Sequence, residues 1–142
     1  MKLALAIQGH TRFAGLPARA TLRRWVAGAL ERDAEIVLRF VDAREGRRLN
    51  RKFRRRDYPT NVLTFDYPGE LRVVADIVLC VPVLRREARD QGKSFRSHLA
   101  HLVVHGVLHA QGHDHAKPRD ARRMQIREAR VLGALGVADP YA

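Results

Sequence analysis

The chain has little that could tie it together covalently or anchor it in a membrane. Its 142 residues include one cysteine, Cys80, so no intramolecular disulfide framework can form, and no disulfide-linked partner is expected. Long hydrophobic runs are missing as well. The N-terminal run Leu3-Ala4-Leu5-Ala6-Ile7 ends at Gln8-Gly9-His10. It is shorter than the roughly 7–15 apolar residues of a secretory signal and far short of the roughly 20 that span a bilayer. It reads as a first strand, and the protein as soluble and cytoplasmic. Aromatic residues are few, at 6%. Trp25, Phe40 and Phe65 are core candidates, and no base stacking is assigned to them. There is no repeat, linker or low-complexity tract. With 46% hydrophobic residues the chain can bury the core of one domain.

Acidic residues are the other deficit. Fifteen Asp and Glu face 27 Lys and Arg, for a formal net charge of +12. Eight of the basic residues fall between Arg44 and Arg56, and most are arginine, which forks onto phosphate oxygens. The block is either a solvated basic face or a polyanion-binding surface. Nucleic acid ranks ahead of membrane, because no apolar face accompanies the charge. Arg48, Arg51, Arg54 and Arg55 are the candidate nucleic-acid contacts.

Apolar periodicity marks strands at Lys2–Gln8, Ala34–Val41, Asn61–Asp66 and Leu71–Leu79. Helices are expected at Ala18–Leu30, Ala43–Arg54, Pro82–Gln91 and Ser94–Gln111, with a last one from about Pro118. Asp42 with Glu45 has capping-box spacing, with Asp in place of Ser or Thr. These elements make a single α+β domain over residues 1–142. Its small four-stranded sheet is mixed and packs against about five helices, because two strands are joined by a helix and two by a hairpin.

The chemistry concentrates in His105-Gly106-Val107-Leu108-His109-Ala110-Gln111-Gly112-His113-Asp114-His115. Two His four apart on a helix share one face, so both imidazoles can reach one ion. Gly112 can end the helix in the left-handed conformation and return the chain, which makes His115 the natural third ligand. The spacing is that of a zincin-like helix-and-turn metal site with one substitution. Three protein ligands leave a fourth position open, as catalytic zinc sites do. His98 and His101 read as polar helix positions or as groups that steady a ligand. His113, beyond the glycine, should point away from the metal. A zinc peptidase needs Glu directly after the first His, and Gly106 stands there. Gly106 reads as room for a bulky substrate near the metal. A peptidase mechanism is disfavoured, although bound zinc can still activate water near neutral pH.

These residues resemble the H-G-x-L-H-x-x-G-x-D-H signature of the YbeY family of bacterial endoribonucleases. Leu49 to Phe65 resembles the family's L-N-x-x-[YF]-R-x-[KR]-D-x-P-T-N-V-L-[ST]-F segment, and Asp76-Ile77 the end of its G-D-I strand. Ser94, Ala100 and His105 fit its long helix. The departures are His113 for the usual Tyr, Ala75 for the Gly before Asp76, and Arg122 and Arg123 where acidic residues are common. The resemblance implies an α+β fold with one zinc ion held by His105, His109 and His115. It further implies a single-strand-specific endoribonuclease that matures small-subunit (16S) ribosomal RNA and serves ribosome quality control. The family's functional arginine falls on Arg54, so Arg54 and His109 are the expected catalytic residues. The small ribosomal subunit is the expected partner. Asp57 to Asn61 reads equally as a stiff turn and as a substrate contact. Two other functions are weighed: a ribosome-assembly factor with structural zinc, and a metallopeptidase or amidohydrolase.

Overall fold

The computed structural model describes residues 1–69, 71–113 and 116–142. The elements run β1 (Leu3–Gln8), α1 (Arg19–Ala29), β2 (Ala34–Val41), α2 (Ala43–Arg54), β3 (Val62–Asp66), β4 (Val73–Cys80), α3 (Val81–Asp90), α4 (Phe95–Ala110) and α5 (Pro118–Ala134). The sheet order is β1-β2-β4-β3. β1, β2 and β4 are parallel, and β3 runs antiparallel to β4. This is the mixed sheet and helix count expected from the sequence. No described helix is long and apolar enough to cross a membrane.

Strand alternation sorts the sheet into two unequal faces. Ile36, Leu38 and Phe40 of β2 and Ala75, Ile77 and Leu79 of β4 point into the main core, with α1, α4 and α5 packed over them. Trp25 and Phe40 are buried there as expected, each contributing about 1.5–3 kcal/mol by leaving water. The other face carries a smaller cluster of Val41, Val78 and Cys80 with Leu63 and Val83, and Leu49 of α2 packs against it. Phe65 belongs to this second layer and is half-buried, so it is less a core residue than its pattern suggests. α2 covers only part of this face, and a groove remains beside it. Cys80 is a buried free thiol.

α2 begins at Asp42, whose Oδ1 accepts from the Glu45 N–H at 2.8 Å. It ends at Arg55, which takes the left-handed conformation with φ 57°. α4 begins under a Ser94 cap and stops at Gly112, where φ is +96°. The His113 N–H then reaches back to the Leu108 carbonyl at 3.2 Å. The glycine stop read from the sequence is therefore the observed one.

Gly106 has a different role from the one its position suggested. A Cβ there would lie 2.9 Å from Ile77 Cγ2 and 3.5 Å from Thr64 Oγ1. It faces the sheet at Ile77 and Thr64, and its missing side chain lets α4 settle on β3 and β4. The same contact opposes any larger side chain there, a peptidase-type glutamate included. Gly106→Ala gains about 1 kcal/mol of helix propensity but overpacks the contact by about 1–3 kcal/mol. The expected outcome is a lower urea midpoint at unchanged m-value. A raised midpoint would show that the sheet yields easily at Ile77.

Candidate active site

α4 carries His105 and His109 one turn apart, with rings stacked at 6.5 Å between centroids and 6° between planes. Each is held by its Nδ1. That of His105 donates to Glu128 Oε2 at 2.7 Å, and that of His109 to the His113 carbonyl at 3.1 Å. A carboxylate and a carbonyl can only accept, so each Nδ1 bears the proton and Nε2 is the nitrogen through which either ring could ligate a metal. A ligand histidine whose other nitrogen is tied to a carboxylate or carbonyl is the usual arrangement at metal sites. The donor set therefore fits an ion such as zinc. His115, expected as third ligand, lies outside the described residues.

Glu128, on α5, is fully buried. Burial alone would raise its pKa. Hydrogen bonds from His101, His105 and Tyr141 outweigh that and hold it down to about 2. Its ionised form is thus the one the site is built around. Burial and the bond to Glu128 in turn push the Tyr141 hydroxyl upward. His101 Nε2 lies 3.4 Å from Glu128 Oε1 and 3.1 Å from the Tyr141 hydroxyl. His101, His105 and Glu128 place ligand atoms within 4.8 Å of one another, so this group could itself hold a cation. His98 pairs with Glu87 at 3.0 Å. The His113 ring turns to Glu31 at 3.1 Å, away from the pocket as expected, while its carbonyl serves His109.

A pocket of about 350 Å³ opens in front of the two histidines, walled by residues 60–64 and Arg54. Arg54 reaches it from the last turn of α2, donating from Nη2 to the Thr64 carbonyl at 3.2 Å. It also lines the larger groove on the second sheet face, about 710 Å³, and so joins the two. Of the Asp57–Asn61 segment, Thr60 lines the pocket and Asn61 is anchored to Glu87 at 3.2 Å. Asp57 takes a two-pronged bond from Arg47, at 2.7 and 2.9 Å, which holds its carboxyl below the usual range.

The other candidate arginines do not gather at the pocket. Arg48, Arg51 and Arg55 are exposed on α2 or at its end and line neither the pocket nor the groove. The groove's cations are Arg39, Lys52 and Arg54. Arg39 and Glu128 went unassigned in the sequence. Arg39 is, with Glu35, one of two charges in an otherwise apolar strand, and that was the available signal.

A family model described as Endoribonuclease YbeY matches residues 16–136. The chain belongs to the YbeY family. Endoribonuclease YbeY of Methylibium petroleiphilum is 55% identical over 142 residues, which is 100% of this chain and 95% of that protein. The Aromatoleum aromaticum protein of the same name is 51% identical, over 99% of this chain and 94% of its own. A solution structure of TM1509 from Thermotoga maritima shares the fold with a TM-score of 0.55 at 23% identity, covering 97% of this chain and 99% of that one.

In this YbeY chain, Glu128 is expected to steady His105 through Nδ1 when the ion sits on Nε2. Glu128→Gln keeps the shape but loses the charge that fixes the His105 Nδ1 proton. Zinc affinity should fall about 10–100-fold, the usual cost of losing such a partner, measured by competition with a chromogenic chelator. Unchanged affinity would show that His105 needs no carboxylate to orient it.

Proposed function

We propose that the protein is a zinc-dependent, single-strand-specific endoribonuclease that matures small-subunit (16S) ribosomal RNA in the cytoplasm and takes part in ribosome quality control. Family membership supports ribonuclease activity. The observation that carries the metal-dependent reading is the pair of helix-borne histidines, each steadied through Nδ1, opening with Arg54 onto one pocket.

Bound to His105, His109 and His115, zinc would supply Lewis-acid stabilisation of phosphoryl oxygens and activation of the attacking group. The chain's own residues do the rest. Glu128 and the His113 carbonyl keep both imidazoles in one tautomer and one orientation. Arg54 offsets the negative charge that grows on the phosphoryl oxygens as the transition state forms, and its anchor on Thr64 keeps it pointed at the pocket. The 60–64 segment closes the side opposite α4. The steric block at Gly106 disfavours the peptidase alternative.

The test is cleavage of a single-stranded RNA and its duplex by rigorously purified, zinc-loaded protein. The single strand should be cut, the duplex spared, and activity lost on chelation and regained with zinc. Cleavage that survives chelation defeats the metal-dependent reading. An RNA left intact by zinc-loaded protein would favour an assembly factor whose metal is structural.

A further inference from the structure

We propose that the groove beside Arg54 is a nucleobase subsite that selects bases carrying an exocyclic amino group over uracil. The proposal rests on the RNA reading above and adds a specificity to it. In a chain of net charge +12 the groove is unexpectedly furnished with carboxylates. Asp66 and Asp76 both line it. Asp76 accepts from the Tyr67 hydroxyl at 2.7 Å, which fixes one oxygen and leaves the other lone pairs for a ligand. Asp66 is exposed, and its carboxylate makes no hydrogen bond or ion pair among the described residues, although Arg54 lines the same groove.

Carboxylates repel phosphate, so this part of the groove is not a backbone track. They accept hydrogen bonds from amino groups, as acidic residues do from cytosine N4. The aromatic surface needed to hold a base is beside them. Phe53, which lines the groove from α2, is 52% exposed and packs edge-on against Phe65 with 5.1 Å between centroids. Lys52 lies 5.3 Å from the Phe53 centroid and brings a cation toward the strand. Arg54 stands at the junction with the histidine pocket, so a phosphate held there would leave a neighbouring base over the groove. The volume, about 710 Å³, is in the range of small-molecule sites.

Cytosine and uracil have the same ring size and differ where a carboxylate would read them: cytosine offers the N4 amino group, and uracil an oxygen that a carboxylate repels. Oligodeoxycytidylate and oligodeoxyuridylate of equal length present these edges and resist a ribonuclease. Binding of each to the zinc-loaded protein is followed by fluorescence anisotropy. The cytosine probe should bind about tenfold more tightly. In the Asp66→Asn, Asp76→Asn double variant the ratio should fall to within about twofold, because an amide both donates and accepts. The amide oxygen introduced by Asp76→Asn can still accept from the Tyr67 hydroxyl, so the fold is spared. Phe53→Ala should weaken both probes by about tenfold and leave their ratio intact, as loss of stacking does. Equal affinities in the wild type, or a preference that survives the double variant, overturns the proposal. If either is seen while RNA is still cut, the ribonuclease reading stands and only the subsite falls; if RNA is not cut either, both fall.

Discussion

Alanine at His109 should leave a folded protein with almost no metal. Zinc content, expected close to one ion per chain in the wild type, should fall sharply for His105→Ala, His109→Ala and His115→Ala. The affinity loss should exceed about 100-fold, the upper range for removing a supporting partner rather than a ligand. RNA cleavage should fall with it, and circular dichroism should confirm that each variant folds. His113→Ala is the informative control. Its contribution to His109 is a backbone carbonyl, which alanine retains, so zinc should stay. His101→Ala decides where the ion sits. If the metal belonged to the group of His101, His105 and Glu128, His101→Ala would strip it and His109→Ala would spare it. Zinc retained in His109→Ala would therefore move the site one turn along α4.

Arg54→Ala should produce the opposite profile, a protein that keeps its zinc and loses its rate. The guanidinium faces the pocket from α2 and touches no histidine in the contacts described above. On the proposed mechanism its effect is realised as charge builds on the phosphoryl oxygens, so it should appear in rate more than in binding. RNA affinity should drop modestly, and cleavage at saturating RNA should slow at least about tenfold, as a loss of more than about 1.4 kcal/mol requires. Arg54→Lys should recover little. An ammonium brings charge but lacks the planar fork that can hold Thr64 and a phosphate together. Arg55→Ala gives the comparison, since Arg55 is exposed and lines neither cavity. Equal rates for Arg54→Ala and Arg55→Ala, with zinc verified, would make Arg54 one cation among several.

What could be read from the residues alone was what repeats locally. The His pair at one-turn spacing, the glycine stop at Gly112 and the outward turn of His113 follow from helix geometry, and the structure shows all three. The mixed sheet followed from the way its strands are joined. What escaped depends on distant parts of the chain meeting. Glu128 lies 23 residues beyond His105, on another helix, and nothing local marks it as the partner of that ring. Gly106 was assigned to substrate access because it stands beside His105, yet Ile77 on a strand is what crowds it. The arginines of α2 read as one patch in sequence. Lys52 and Arg54, both in its last turn, line the groove while Arg48, Arg51 and Arg55 do not, a selection set by how α2 seats against the sheet and not by spacing along the helix.

β3 closes one edge of the sheet, and such an edge ordinarily invites another chain to extend it. Asn61 and Tyr67 bond inward to β4, so by alternation the even-numbered residues of β3 turn their carbonyls outward. Thr64 is the central one, and Arg54 already occupies its oxygen. An extended polypeptide laid along this edge would find its middle rung taken and could form no continuous ladder. A nucleic acid strand needs no ladder. The contact that aims Arg54 at the pocket therefore also makes this edge a poor host for peptides, a selectivity by exclusion built from one backbone oxygen.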